Sequence, residues 1–279
     1  MGYRMDELSL PLRVDATDII ELTTNPQVLI VDLSSFQHYE QQHVPGAIHL
    51  DYSLLVNRQP PVLGYLPDTA QLSRVFSTLG LTPNKHVIAY DEEGGAKAAR
   101  LIWTLDVIGH HKNSLLDGGV QNWMECGFRA GTTPETAHVT QVSAVISSNF
   151  LADKQFVLQR LDDLHTQFLD ARSPAEFTGQ NVRAQRGGHI PGAINVEWTR
   201  CLESSPSRRL KSKLALADLY ESAGLSKNKE IVTYCHSHHR SAHSYFVLKY
   251  LGYPQLRAYP GSWSEWGNDS TTPIETSAK

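Results

Sequence analysis

The chain has 279 residues, 41% hydrophobic and 19% charged, with a net charge of −4. That length suits one large domain or two of about 140 residues, each able to bury a core, and the charge excludes a basic surface for nucleic acid or anionic lipid. No apolar run approaches the ~20 residues that span a bilayer, and the N-terminal MGYRMDELSLPLRVDATD has no signal-peptide core, so the expected partners exclude membranes and the expected location is the cytoplasm.

In chain order, DATDIIELTTN (15–25) predicts a helix opened by Asp15, and VLIVDL (28–33) a buried strand ending in Asp32. TAQLSRVFSTLG (69–80) predicts a second helix, with Asp or Thr at its cap. KHVIAY (85–90) is a strand of β-branched and aromatic residues, followed by ARLIWTLDVIGH (99–110), in which Leu101, Ile102, Leu105 and Ile108 fall at helical spacing. ETAHVTQVSAVIS (135–147) is polar and weakly periodic at its start. It marks a boundary near residue 140, giving domains 1–140 and 141–279. Beyond it come a strand at QFLDA (167–171), another at KEIVTY (229–234), and a helix at SAHSYFVLKYLGY (241–253) that Gly252 stops. The tail NDSTTPIETSAK (268–279) is expected to fray.

The second half repeats the first. HVPGAIHLD (43–51) returns as HIPGAINVE (189–197), and LDGGVQNW (116–123) as YPGSWSEW (259–266). Pro45 and Pro191 lie 146 residues apart, Asp91 and Cys235 144, and Gly118 and Gly261 143. From Asp to Pro the spacing is 13 residues in the first half and 21 in the second, so the second carries an eight-residue loop insertion rich in Arg, Gln and Gly. Strands alternating with helices predict an α/β fold with a parallel sheet in each half, whose ligands bind beyond the carboxyl ends of the strands.

Three cysteines occur, Cys126, Cys201 and Cys235, an odd number with no Cys-x-x-Cys pair, so they read as thiols. Cys235 ends the strand IVTY and opens the loop Cys-His-Ser-His-His-Arg, which leads to a helix starting near Ser241. Loop and helix N–H groups, the helix dipole, Arg240 and any protonated histidine would stabilise a thiolate there, making Cys235 a nucleophile. Cys126 and Cys201 lack this setting. At the matching place in the first half stands Asp91, in the acidic run DEEGGAK, so that half is expected to be catalytically silent.

These residues together, the two Asp-ended strands, both His-x-Pro-Gly-Ala-Ile motifs, the cysteine loop and the Gly-Ser-Trp-Ser-Glu-Trp-Gly run (261–267), resemble the rhodanese family in its tandem-domain form. The resemblance implies two rhodanese-like domains, the first inactive. It also implies a sulfurtransferase in which Cys235 takes the sulfane sulfur of thiosulfate and passes it from a persulfide to cyanide, another thiophile or a protein thiol. No metal or organic cofactor is implied. The loop differs from the Cys-Arg-Lys-Gly-Val-Thr and Cys-Gly-Ser-Gly-Val-Thr versions of animal thiosulfate enzymes and mercaptopyruvate enzymes, and is similar to that of bacterial members with His-His-Arg before Ser. By that match Arg240 binds the anionic end of the substrate, His236, Ser237, His238 and His239 surround it, and Trp198 lines the pocket entrance. The family's second anion-binding arginine falls at Glu176. Arg183 or Arg186 on the insertion is expected to replace it, with Arg186 counted in the substrate site, while Arg172 is expected to be a structural ion-pair residue.

Three other readings compete with this one. A phosphatase would need Cys-x5-Arg to cradle phosphate, whereas the spacing here is Cys-x4-Arg. Zinc ligation by Cys235 with His236, His238, His239 and His243 would need rings that a tight loop and a helix should send in different directions. A non-catalytic sulfur carrier or interaction module would leave Cys235 idle. The closest alternative activity is transfer from 3-mercaptopyruvate.

Overall fold

Runs such as VLIVD and HVIAY carry no polar alternation, which suits strands covered on both faces, and in the computed structural model, which describes residues 8–276, they form the centre of a parallel sheet. The first half builds strands β1 (Arg13–Val14), β2 (Val28–Asp32), β3 (Ile48–His49), β4 (Asn57–Gln59), β5 (Val62–Tyr65), β6 (His86–Tyr90) and β7 (Asn113–Leu116). Five of them lie parallel in the order β1-β7-β6-β2-β3, while β4 and β5 form an antiparallel hairpin. The second half builds β8 (Thr166–Asp170), β9 (Ile194–Asn195), β10 (Glu230–Tyr234) and β11 (Leu256–Ala258), parallel in the order β11-β10-β8-β9.

The repeat seen in the sequence is a repeat of register. Asp32 stands opposite Tyr90 at the ends of β2 and β6, as Asp170 does opposite Tyr234 at the ends of β8 and β10. The His-x-Pro-Gly-Ala-Ile motifs serve this frame. In each, the histidine Nδ1 meets a backbone carbonyl (His43 to Tyr39 at 2.7 Å, His189 to Phe177 at 2.8 Å), and the next N–H donates to the strand-end tyrosine hydroxyl.

The two halves share one interior. A single apolar cluster runs from Leu29 and Trp103 to Phe246 and Leu256, with a smaller cluster on the outer side of each sheet. At its centre helix Ala96–Val107 packs on helix Arg240–Tyr250. All residues of the first except Lys97 are buried, polar ones included. Asp106 is satisfied across the junction by Lys249 Nζ at 2.7 and 2.8 Å and by the Tyr245 hydroxyl at 3.2 Å.

Two expectations change. The helix read over 15–25 is only Ala16–Ile19 continued by a 3₁₀ turn to Leu22, because Thr23, Thr24 and Pro26 cannot extend it. Around the join, residues 134–147 have no regular structure, and the N–H groups of Thr140, Val142 and Ala144 bond Ser77 and Ser73 of helix Thr69–Thr78. The tail, as far as it is described, does not fray. Trp266 Nε1 donates to the Pro273 carbonyl, and Glu275 and His189 exchange backbone hydrogen bonds at 2.8 and 3.0 Å. Met1–Glu7, the start of the segment read as lacking a leader, and 277–279 lie outside the described residues. Among the described residues no helix is long and apolar enough to cross a membrane.

Candidate active site

Cys235 follows β10 directly and is buried. Its loop leans on the segment after β11: Cys235 N–H donates to Ser262 Oγ, and Trp263 and Ser264 N–H donate to the carbonyls of Cys235 and His236 at 3.0 and 2.9 Å. Helix Arg240–Tyr250 then starts without a side-chain cap. Burial raises the Cys235 thiol, but Arg240, the Ser241 hydroxyl, and the N–H groups of Ser241 and Ser237 outweigh it and leave the pKa below the ordinary value. Cys201 is an internal control. It is equally buried, its sulfur lies 3.3 Å from the Tyr220 hydroxyl, and burial pushes its thiol up to about 11. The difference between the two sulfurs is therefore the loop, not burial. Cys126 is exposed.

The loop side chains leave in different directions. His236 is buried on the side of Arg183 and Arg240, and burial with these two charges pushes its pKa down to about 4. His238 adopts left-handed backbone (φ +50°) and turns into the core. Its ring meets Trp103 edge-on at 4.4 Å, its Nδ1 lies 2.8 Å from Ser241 Oγ, and burial holds it neutral. His239 reaches the first half, with Nε2 3.4 Å from Glu93 Oε2 and its ring 5.1 Å from that of Tyr52. His243 packs against Trp198 at 5.2 Å and is driven down to about 3 by burial. The expectation that protonated histidines add positive charge is thus corrected at His236, His238 and His243: desolvation keeps them neutral at pH 7. Among the described residues no three His, Cys, Asp or Glu side chains are grouped to hold a metal.

Arg240 is not a free cation. Its Nη1 and Nη2 donate to both oxygens of Glu176, at 2.6 and 2.9 Å. Burial raises the Glu176 carboxyl, but this fork overrides it and brings the pKa down to about 2. Glu176 is set for the role by the capping box of helix Pro174–Phe177, in which Ser173 and Glu176 cap each other. Arg183 lies 3.7 Å from the same carboxylate and is half exposed. Arg186 does not join them, which corrects its place among the substrate residues. Its guanidinium is spent on the carbonyls of Trp266, Asp269 and Thr272 and the Thr272 hydroxyl, pinning the insertion to the tail. Arg172 is buried and forked onto Asp170, an ion pair inside the frame. Trp198 touches His243 and the Arg208 guanidinium (5.8 Å). Ser237 brings an N–H to the sulfur and a carbonyl to the first half's hairpin. A groove of about 710 Å³ lined by Pro174, Ile194, Arg200 and Lys211 contains no residue of the loop.

In the first half the matching loop holds its own anion. The Asp91 carboxylate accepts the N–H groups of Glu93, Gly95 and Ala98 at 2.7, 2.9 and 2.8 Å. The donors that would cradle a sulfur or an oxyanion there are occupied by a side chain.

The rhodanese-like domain family matches residues 15–126 and again 153–269. The chain belongs to the rhodanese family. Within that family it is 38% identical to a thiosulfate sulfurtransferase of Pseudomonas aeruginosa, over 95% of this chain and 97% of that protein. It is 39% identical to a thiosulfate sulfurtransferase of Azotobacter vinelandii, over 97% and 99%. Among solved rhodanese structures, the 3-mercaptopyruvate sulfotransferase SseA of Escherichia coli superposes with a TM-score of 0.82 at 27% identity, covering 91% of this chain and 99% of that one.

Sequence reading missed Ser241, Tyr52, Glu93 and Arg100 around this rhodanese loop. Ser241 was legible as a hydroxyl at a helix start. The other three come from the first half and leave no local signal.

Proposed function

We propose that this protein is a thiosulfate sulfurtransferase that carries sulfane sulfur as a persulfide on Cys235, with the second half as the working domain and the first, held by Asp91, silent. The observation that carries the reading is a buried thiol set between the end of a strand and the start of a helix, with Arg240 and the Ser237 and Ser241 N–H groups around it, a setting that lowers its pKa where burial raises that of Cys201. The names of the relatives aligned over nearly the whole chain support the donor.

In the first half-reaction the thiolate attacks the sulfane sulfur of thiosulfate. A sulfur–sulfur bond forms to Cys235, the bond to the sulfonate sulfur breaks, and its electron pair leaves with sulfite. The persulfide anion inherits the N–H groups of Ser237 and Ser241. In the second, cyanide or another thiophile attacks the outer sulfur, thiocyanate leaves in the cyanide case, and the thiolate returns. Arg240 stands beside the sulfur through both steps, and Arg183 and Arg240 together exceed the charge of Glu176, so the mouth favours a dianion. That excess is the reason to favour thiosulfate over the singly charged 3-mercaptopyruvate, the alternative donor. Three free cysteines fit a reducing compartment such as the cytoplasm.

Thiosulfate should add one sulfur, about 32 Da, to the intact protein, and cyanide should remove it. C235S should take up none. Cyanide-labile sulfur on C235S would end the assignment, and a tenfold or greater kcat/KM advantage for 3-mercaptopyruvate, about 1.4 kcal/mol, would reverse the choice of donor.

A further inference from the structure

Arg100 projects from helix Ala96–Val107 of the first half and is fully buried. Among the described residues no carboxylate pairs with it. Its Nη2 donates to the carbonyls of Leu55, Gly64 and Tyr65 at 3.1, 3.1 and 3.2 Å, and its Nη1 to the carbonyl of His238 at 3.3 Å. The guanidinium also lies 4.7 Å from the Trp103 ring, and Nε has no partner. A buried cation served only by carbonyl dipoles is costly unless a negative charge stands within reach. The two groups near it that can become anions are Tyr52 and Cys235, and burial pushes Tyr52 up to about 12, so the sulfur is the one that ionises.

We infer that Arg100, lent by the silent half, is a positioning residue of the sulfur-transfer site: it clamps the His238 carbonyl at the left-handed corner of the cysteine loop and keeps its positive charge within Coulombic reach of Cys235. The proposal rests on the reading of Cys235 as the persulfide carrier. A non-glycine residue at φ +50° stays there only when its surroundings hold it, and Arg100 fixes the peptide that follows. That peptide leads through His239 into Arg240 and Ser241, which set the sulfur's environment. The same guanidinium ties the β4–β5 hairpin to the loop, so the half without a nucleophile determines the shape around the one that has it.

The test uses the full-length protein and two readouts: the rate at which thiosulfate loads cyanide-labile sulfur, and the pH dependence of alkylation at Cys235 by iodoacetamide, mapped by mass. The other charged or titratable groups around the loop (Arg240 and Arg183 with Glu176, His236, His238, His239 with Glu93, and Tyr52) are left intact. R100M should move the alkylation profile of the thiol to higher pH and slow loading at least about tenfold. R100K keeps the charge without the fork, so it should leave the pKa near that of the wild type yet load about fivefold slower. A folded R100M with the wild-type alkylation profile and loading rate overturns the proposal. If R100M does not fold, R100K decides, and loading at the wild-type rate overturns the clamp. Absence of cyanide-labile sulfur on Cys235 in the wild type would instead remove the proposed function, a separate failure.

Discussion

Arg240 and Glu176 bind each other through two hydrogen bonds beside the reacting sulfur, which gives the two side chains opposite and measurable signs. Removing the guanidinium leaves Glu176 with only the half-exposed Arg183 as a charged partner, and its carboxylate then opposes an incoming dianion. R240A should therefore raise the KM for thiosulfate by about ten- to a hundredfold, the worth of a charge-assisted contact of roughly 1.5–3 kcal/mol. Unloading of preformed persulfide to cyanide should change less, and R240K should restore the loss in part, because a point charge cannot fork. E176Q should act the other way, since it frees Arg240 and keeps the capping geometry of helix Pro174–Phe177. A severalfold lower KM for thiosulfate is the expected result in steady-state assays, and a higher one would mean that Glu176 aligns Arg240 more than it neutralises it. The pairing was invisible in the sequence. Glu176 was identified as the place where an expected arginine is missing, but 64 residues separate it from Arg240, and nothing local announces that the two meet.

The β4–β5 hairpin is the element through which the first half covers the cysteine loop. Leu63 N–H donates to Ser264 Oγ at 3.1 Å, and the Tyr65 hydroxyl donates to Glu265 at 2.8 Å. Gly64 lies between them at the closest approach of the two backbones. A Cβ there would stand 2.3 Å from the Ser237 carbonyl oxygen and 2.6 Å from that of Pro260, and neither backbone can swing aside as a side chain would. G64A should displace the hairpin from the loop, costing about 1–3 kcal/mol of stability by overpacking and lowering kcat/KM about tenfold or more. Denaturant melts and steady-state kinetics on the same preparation check both. Wild-type kinetics in a stable G64A would show that the loop does not depend on its cover. The hairpin's strands were not among the elements read from the sequence: NRQ and VLGY are short and partly exposed, and their pairing depends on what they rest upon.

Because one apolar cluster passes through both halves, the chain should unfold as a unit. Fluorescence, circular dichroism and calorimetry are expected to report one coincident transition, and two separated transitions would show that the halves are energetically independent. The buried histidines add a pH dependence of definite sign. His86 and His236 are held near 4 and His243 near 3, each chiefly by burial, against 6.5 in the unfolded chain. Above pH 6.5 their contribution is complete. As pH falls from 6.5 toward 4 the unfolded chain takes up protons that the folded one refuses, so stability should decline across that window. The melting temperature followed from pH 7.5 to 4.5 checks it, and H243N should flatten the slope. A melting temperature rising with acidification over that range would contradict these assignments.

The internal repeat, the strand that ends in Cys235, and Asp91 at the matching place in the first half could all be read along the chain, because each depends on neighbours within a few residues: apolar runs make strands, and a cysteine followed by a loop and helix start meets their N–H groups wherever the chain folds. The destinations of the side chains could not be read this way. His238 looked cationic and became a neutral core residue under Trp103, Arg186 was expected in the substrate site and became the tie between insertion and tail, and Arg100, an unremarked member of an apolar helix, came to hold the His238 carbonyl of the cysteine loop. Each outcome depends on groups more than 75 residues away, brought together when the two halves close on one interior and every buried donor must find a partner there.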